Sequence, residues 1–177
     1  MILKLKQTPG IYLVGFMGSG KSTVGELLAK KIGWPFADLD RDIEAQHSAT
    51  IPTLFETLGE PGFRRIEAEA LDRRVRSVKN GRPVVLALGG GAYVSPANAA
   101  LMDASGISIW LDTPFETIRE RVSRANHRPL AADPVFFHEL FLTRREAYAR
   151  AAFTIQVTSD DPTVTLDQLL ELPIFDK

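Results

Sequence analysis

Residues 15–23 read GFMGSGKST and follow directly on the apolar run Ile11–Val14. Behind them Val24, Leu27, Leu28 and Ile32 recur at helical spacing, and Gly33 supplies a stop. The order is therefore buried strand, glycine-rich turn, amphipathic helix. Few architectures need that order. An open sheet of parallel strands does, because each strand must hand over to a helix at its carboxyl end.

The rest of the chain repeats the theme. Further apolar runs at Pro35–Asp38, Pro83–Leu88, Ile107–Leu111 and Phe153–Val157 read as buried strands, with helical patterns between them. Ser95-Pro96 and Thr113-Pro114 look like helix starts, Gly106 like the end of the first of these helices, and Asn80-Gly81 like a turn. The expected fold is α/β: three layers, α/β/α, around a central five-stranded parallel sheet, as one domain over 1–177. Residues 40–66 and 122–134 break the alternation and read as insertions over the sheet end.

Composition narrows the function. A net charge of −1 gives no electrostatic case for nucleic acid or a membrane surface. The chain has no cysteine, which removes thiolate metal sites and cysteine nucleophiles. With no apolar stretch long enough for a leader or a span, a cytoplasmic protein is expected.

Gly15-x-x-x-x-Gly20-Lys21-Ser22 is the pattern of a phosphate-binding loop. Side chains would keep backbone N–H groups away from phosphate oxygens, so glycines are needed, and the helix N-terminus adds partial positive charge. Gly18, Ser19, Gly20, Lys21, Ser22 and Thr23 are the expected contacts to a nucleoside triphosphate. Lys21 suits the β- and γ-phosphates, and the Ser22 hydroxyl suits Mg²⁺. The loop leaves open whether the phosphoryl group goes to water, protein or a small molecule.

Asp38 and Asp40 close the second strand, two apart and so on one side of an extended segment. One can hold a metal through water; the other can accept a hydrogen bond from an acceptor hydroxyl. Asp112, after another apolar strand, is a rival metal aspartate. Gly89-Gly90-Gly91 suits a backbone passing close to a ligand. Arg64 and Glu67, three apart on a helix, can pair and so fix a guanidinium fork for a carboxylate. Taken alone they would also pass as a solvated charge pair.

Together GFMGSGKST, FADLD, GFRRIEAEAL, LALGGGA and RPL stand in the order and at about the spacing seen in shikimate kinases, which this chain resembles over about residues 10–165. The resemblance implies a P-loop kinase fold with a substrate-binding insertion at about 40–66 and a mobile lid at about 120–134. It implies ATP as co-substrate, Mg²⁺ as cofactor, and transfer of the γ-phosphoryl group to the 3-hydroxyl of shikimate. By position, Lys21, Asp40 and Arg128 become catalytic. Ser22, and Asp38 through water, become metal residues. Arg121 and Arg128 join the loop in binding ATP. Asp40, Arg64, Gly89, Gly90, Gly91, Arg144, Phe55 and Phe63 become substrate contacts, with Glu67 orienting Arg64. Arg145 competes with Arg144, which is preferred for its four-residue step to Tyr148. A monomer is expected.

Three positions depart from the family's pattern: Ala131 after RPL, Glu146 where proline is usual, and the short acidic loop VTSDDP. Another P-loop small-molecule kinase, such as a gluconate kinase, is the alternative. A nucleotide-binding regulator without kinase activity would need no second anion site.

Overall fold

The structure is a computed structural model that describes residues 9–124 and 133–175. Its strands are β1 (Gly10–Val14), β2 (Phe36–Asp38), β3 (Val84–Ala87), β4 (Gly106–Asp112) and β5 (Phe153–Gln156). All pair in parallel, in the order β2-β3-β1-β4-β5. The helices are α1 (Lys21–Ile32), α2 (Leu39–His47), α3 (Ile51–Lys79), α4 (Pro96–Asp103), α5 (Phe115–Arg124), α6 (Pro134–Tyr148) and α7 (Pro162–Leu170). Every strand expected from an apolar run is present, within two residues at each end.

Alternation along β1 divides the core. Ile11 and Leu13 join Val24, Leu28, Ile109 and Leu169 on one face; Tyr12 and Val14 join Leu71, Leu86 and Met102 on the other. The chain leaves β1 in one direction, toward β2, and leaves β3 in the other, toward β4. The loops after β1 and β3 therefore part at a crevice between neighbouring strands, the place where open α/β sheets bind ligands. Those loops are GFMGSG and GGG.

Two local expectations are corrected. Residues 40–66 are not a cover lying apart from the core, since Ile43, Leu54, Phe63 and Ile66 are all buried within it. Within Ile51–Lys79 two helical rods are parted at Gly59, which has φ 68° and ψ 174°. Pro61 then falls in the first turn of the second rod, where its missing N–H costs nothing. Gly106 does not close α4, which ends at Asp103 with Ala104 as its cap. Gly106 opens β4 instead, and a Cβ there would collide with the backbone of Gly10.

Candidate active site

The glycine loop is built as its spacing requires. Gly15, Gly18 and Gly20 have φ of 144°, 78° and 93°, values that L side chains rarely adopt. Gly20 caps α1, and Lys21 is its first residue. The Lys21 ammonium donates to the carbonyls of Gly15 (2.9 Å) and Phe16 (2.8 Å), which keeps it inside the loop. Ser19 is buried, and its carbonyl accepts from the Thr113 hydroxyl at 3.3 Å. Thr113 thus ties the end of β4 to the loop, a task that its reading as a helix start did not suggest.

A cleft of about 520 Å³ opens above the loop, lined in part by Lys21, Ser22, Asp38, Asp40, Gly89 and Arg121. Asp38 does two things at once. Its Oδ1 caps α2, accepting from the backbone N–H groups of Asp40 (3.0 Å) and Arg41 (3.3 Å). Its Oδ2 accepts from the Ser22 hydroxyl at 2.5 Å. Asp40 is not in an extended segment as expected, because the helix has already begun at Leu39. The two carboxylates still reach one cleft because Asp38 is the cap and Asp40 lies in the first turn. Burial pushes the Asp40 carboxyl up to about 6; Asp38 adds to the rise and Lys21 opposes it.

The three glycines after β3 each meet a different charged side chain. A Cβ on Gly89 would lie 2.6 Å from Asp40 Oδ1, one on Gly90 3.1 Å from an Arg144 nitrogen, and one on Gly91 would overlap the Arg64 guanidinium. None of the three has a positive φ. Glycine is required here by side-chain crowding rather than by backbone conformation.

Arg64 donates to Glu67 at 2.8 Å and to Glu60 at 3.4 Å. Glu67 is only 1% exposed, and burial raises its pKa while Arg64 holds it down. The Arg64 guanidinium also sits 5.6 Å from the Phe55 ring centre and 5.4 Å from that of Phe63. Those rings stack at 4.1 Å, with Phe63 buried and Phe55 half-buried. Arg144 lies over Phe16 at 5.7 Å, and burial lowers its pKa. Beside it the buried Tyr148 donates to the Gly90 carbonyl.

Neighbouring Arg145 faces elsewhere. It grips Asp112 with both arms of its fork, Nη2 donating to Oδ2 at 2.9 Å. That pairing occupies Asp112, the rival metal aspartate, together with a 3.0 Å bond from Gln156. At the other end of the cleft, Arg121 donates to the Gly18 carbonyl (3.1 Å) and to Asp160 (2.8 Å). The acidic loop VTSDDP therefore anchors an arginine of α5 that reaches the glycine loop, and its Asp161 caps α7. Thr113, Tyr148 and Asp160 were not singled out as site residues from the sequence. Arg128 lies outside the described residues.

A sequence model described as "Shikimate kinase" matches residues 17–172. The chain belongs to the shikimate kinase family. It is 41% identical to the shikimate kinase of Persephonella marina, over 90% of this chain and 96% of that one. Among solved structures, the Acinetobacter baumannii shikimate kinase in complex with shikimate has a TM-score of 0.83 at 36% identity, covering 92% of this chain and 90% of that one. The Aquifex aeolicus shikimate kinase has a TM-score of 0.80 at 33% identity, covering 91% and 94%. These likenesses give the gluconate kinase alternative no support. Among the described residues of this shikimate kinase family member, no helix is long and apolar enough to cross a membrane.

Proposed function

We propose that this protein transfers the γ-phosphoryl group of ATP to the 3-hydroxyl of shikimate, giving shikimate 3-phosphate and ADP. The observation that carries the reading is the contact of Arg144 with both Phe16 and Gly90. It joins a site for an organic acid to the loop for a triphosphate within one crevice. A regulator that only bound nucleotide would have no use for the second arginine site.

In this reading Arg64 and Arg144 hold the substrate carboxylate, with Glu67 fixing the Arg64 fork and the Phe55 and Phe63 rings forming the apolar wall. Asp40 accepts a hydrogen bond from the acceptor hydroxyl. A carboxyl titrating at about 6 is better matched to taking that proton near neutrality than an ordinary aspartate. Lys21 neutralises charge that spreads over the phosphoryl oxygens in a loose transition state, so positioning and electrostatics supply most of the rate. Gly18, Ser19, Gly20 and Thr23 hold the phosphates, and Arg121 takes the adenine side. Arg128, by its place in RPL, brings further positive charge from the lid.

The adjacent Ser22 hydroxyl and Asp38 carboxylate are hard oxygen donors of the kind Mg²⁺ accepts, and they would hold it, Asp38 through water. When bound, Mg²⁺ neutralises charge on the β- and γ-phosphates. A monomer working in the cytoplasm completes the proposal.

An ADP-release assay tests it. Turnover should require shikimate, and gluconate should not replace it. ATP hydrolysis indifferent to shikimate would refute the assignment.

A further inference from the structure

Arg145 and Asp112 play no part in the chemistry above, yet they form a two-armed pair at the end of an interior strand. Asp112 is 6% exposed, accepts both arms of the Arg145 fork and takes a third bond from Gln156. The Arg145 guanidinium also lies 4.9 Å from the Trp110 ring and 5.4 Å from that of Phe141. A planar fork held on two carboxylate oxygens and over aromatic faces has little freedom left.

Its two ends differ in how firmly they are otherwise held. Asp112 closes β4, an interior strand with a ladder on either side, to β1 and to β5. Its own carbonyl accepts from Val157 N–H at 2.9 Å. Arg145 sits near the end of α6, one residue after Arg144. Successive helical residues point about 100° apart, so one turn can clamp to the sheet with Arg145 while turning Arg144 toward Gly90. When the pair is broken it is the last turn of α6, with Arg144, that loses its tie to β4.

We propose that the Arg145–Asp112 pair is a positioning device that sets Arg144 for the carboxylate of the acceptor substrate. This rests on the reading of Arg144 as an acid-binding residue given under Proposed function. Arg145 itself touches no substrate. The effect falls mainly on the acid side because the glycine loop has its own fastenings, to α1 and to Thr113, and the Phe137 and Phe141 contacts that hold α6 to Phe16 precede Arg144 in the helix, whereas the turn that bears Arg144 is tied by Arg145 and Tyr148.

The test compares Asp112→Asn, which keeps shape but not charge, with Arg145→Met, which keeps contact with Trp110 and Phe141 but not the fork. Each is expected to raise the KM for shikimate about fivefold to twentyfold, consistent with losing part of one charge-assisted contact. The KM for ATP should stay within about twofold and kcat within about threefold. Asp112→Glu, which keeps the carboxylate, should recover much of the loss. An unchanged shikimate KM in folded Asp112→Asn would overturn the proposal, as would equal rises in both KM values. A lower shikimate KM would mean that released Arg145 binds the acid itself. Failure of both variants to fold would make the pair a structural strut and nothing more. Should the unmodified protein show no shikimate-dependent turnover, the fault lies with the functional reading rather than with this pair.

Discussion

The guanidinium of Arg144 lies over the ring of Phe16, 5.7 Å from its centre, so an arginine of α6 rests directly on the glycine loop. Phe16 is 2% exposed and packs against Phe137 (5.3 Å) and Phe141 (5.4 Å) of the same helix. Phe16→Leu keeps an apolar filler but removes the π face beneath the cation. It should cost about 1–1.5 kcal/mol of stability and about 0.5–2 kcal/mol of acid binding. Urea unfolding and the shikimate KM read the two separately.

Glu67→Gln isolates the charge that fixes Arg64. The amide preserves volume, and removing a buried charge offsets part of the lost pair, so stability should change by no more than about 1 kcal/mol. Shikimate binding should weaken about tenfold or more, the equivalent of about 1.4 kcal/mol, because the fork loses its fixed orientation. Calorimetric titration with shikimate and with ATP separates this from general damage, which would weaken both.

Asp40 makes a prediction about pH. Its folded pKa is raised from 3.8 to about 6, so the folded protein holds a proton there that the unfolded chain has released. Stability from this group is present below about pH 4 and is lost as pH rises through about 6. Asp40→Asn should therefore stabilise the protein at pH 7 by about 1–2 kcal/mol, allowing for the solvent that reaches the cleft, and lower kcat by about 10²–10⁴. In the ligand-free protein the Asp40 carboxyl carbon should titrate near 6 by NMR. Asp38→Asn should move that midpoint down by removing a neighbouring negative charge.

Gly89 and Gly33 offer a matched pair. Gly89→Ala would set a methyl 2.6 Å from Asp40 Oδ1 without offending the backbone. Gly33→Ala meets nothing within 4 Å but is forced to φ 73°. The first should reduce kcat about 10²-fold by displacing Asp40, with little change in melting. The second should leave turnover intact and cost about 1 kcal/mol. Melting curves and initial rates on both proteins check the contrast.

Much of this was legible in the sequence, and what was not has identifiable causes. The strands could be read because each is a short apolar run buried on both faces. The glycine loop could be read because its chemistry is local. Gly106 could not, since its reason for being glycine is the backbone of Gly10, far away in the chain. The three glycines after β3 read as a place where backbone passes close to a ligand; that their absent side chains also make room for Asp40, Arg144 and Arg64 depends on three distant helices and could not be read. Arg144 and Arg145 are adjacent and chemically alike; the four-residue step to Tyr148 favours Arg144, but the partner that draws Arg145 away, Asp112, stands far off in the chain. Asp38 reads from the sequence as a cleft residue, yet the same side chain also caps α2, a task set by where the helix happens to begin.

The strip after β3 touches charges from α2, α3 and α6, and this has a consequence for how the protein comes into being. During synthesis the residues of the triphosphate cradle and Asp40 emerge before Arg144 does. The strip after β3 is therefore fully framed only once α6 has docked and brought Arg144 to Gly90.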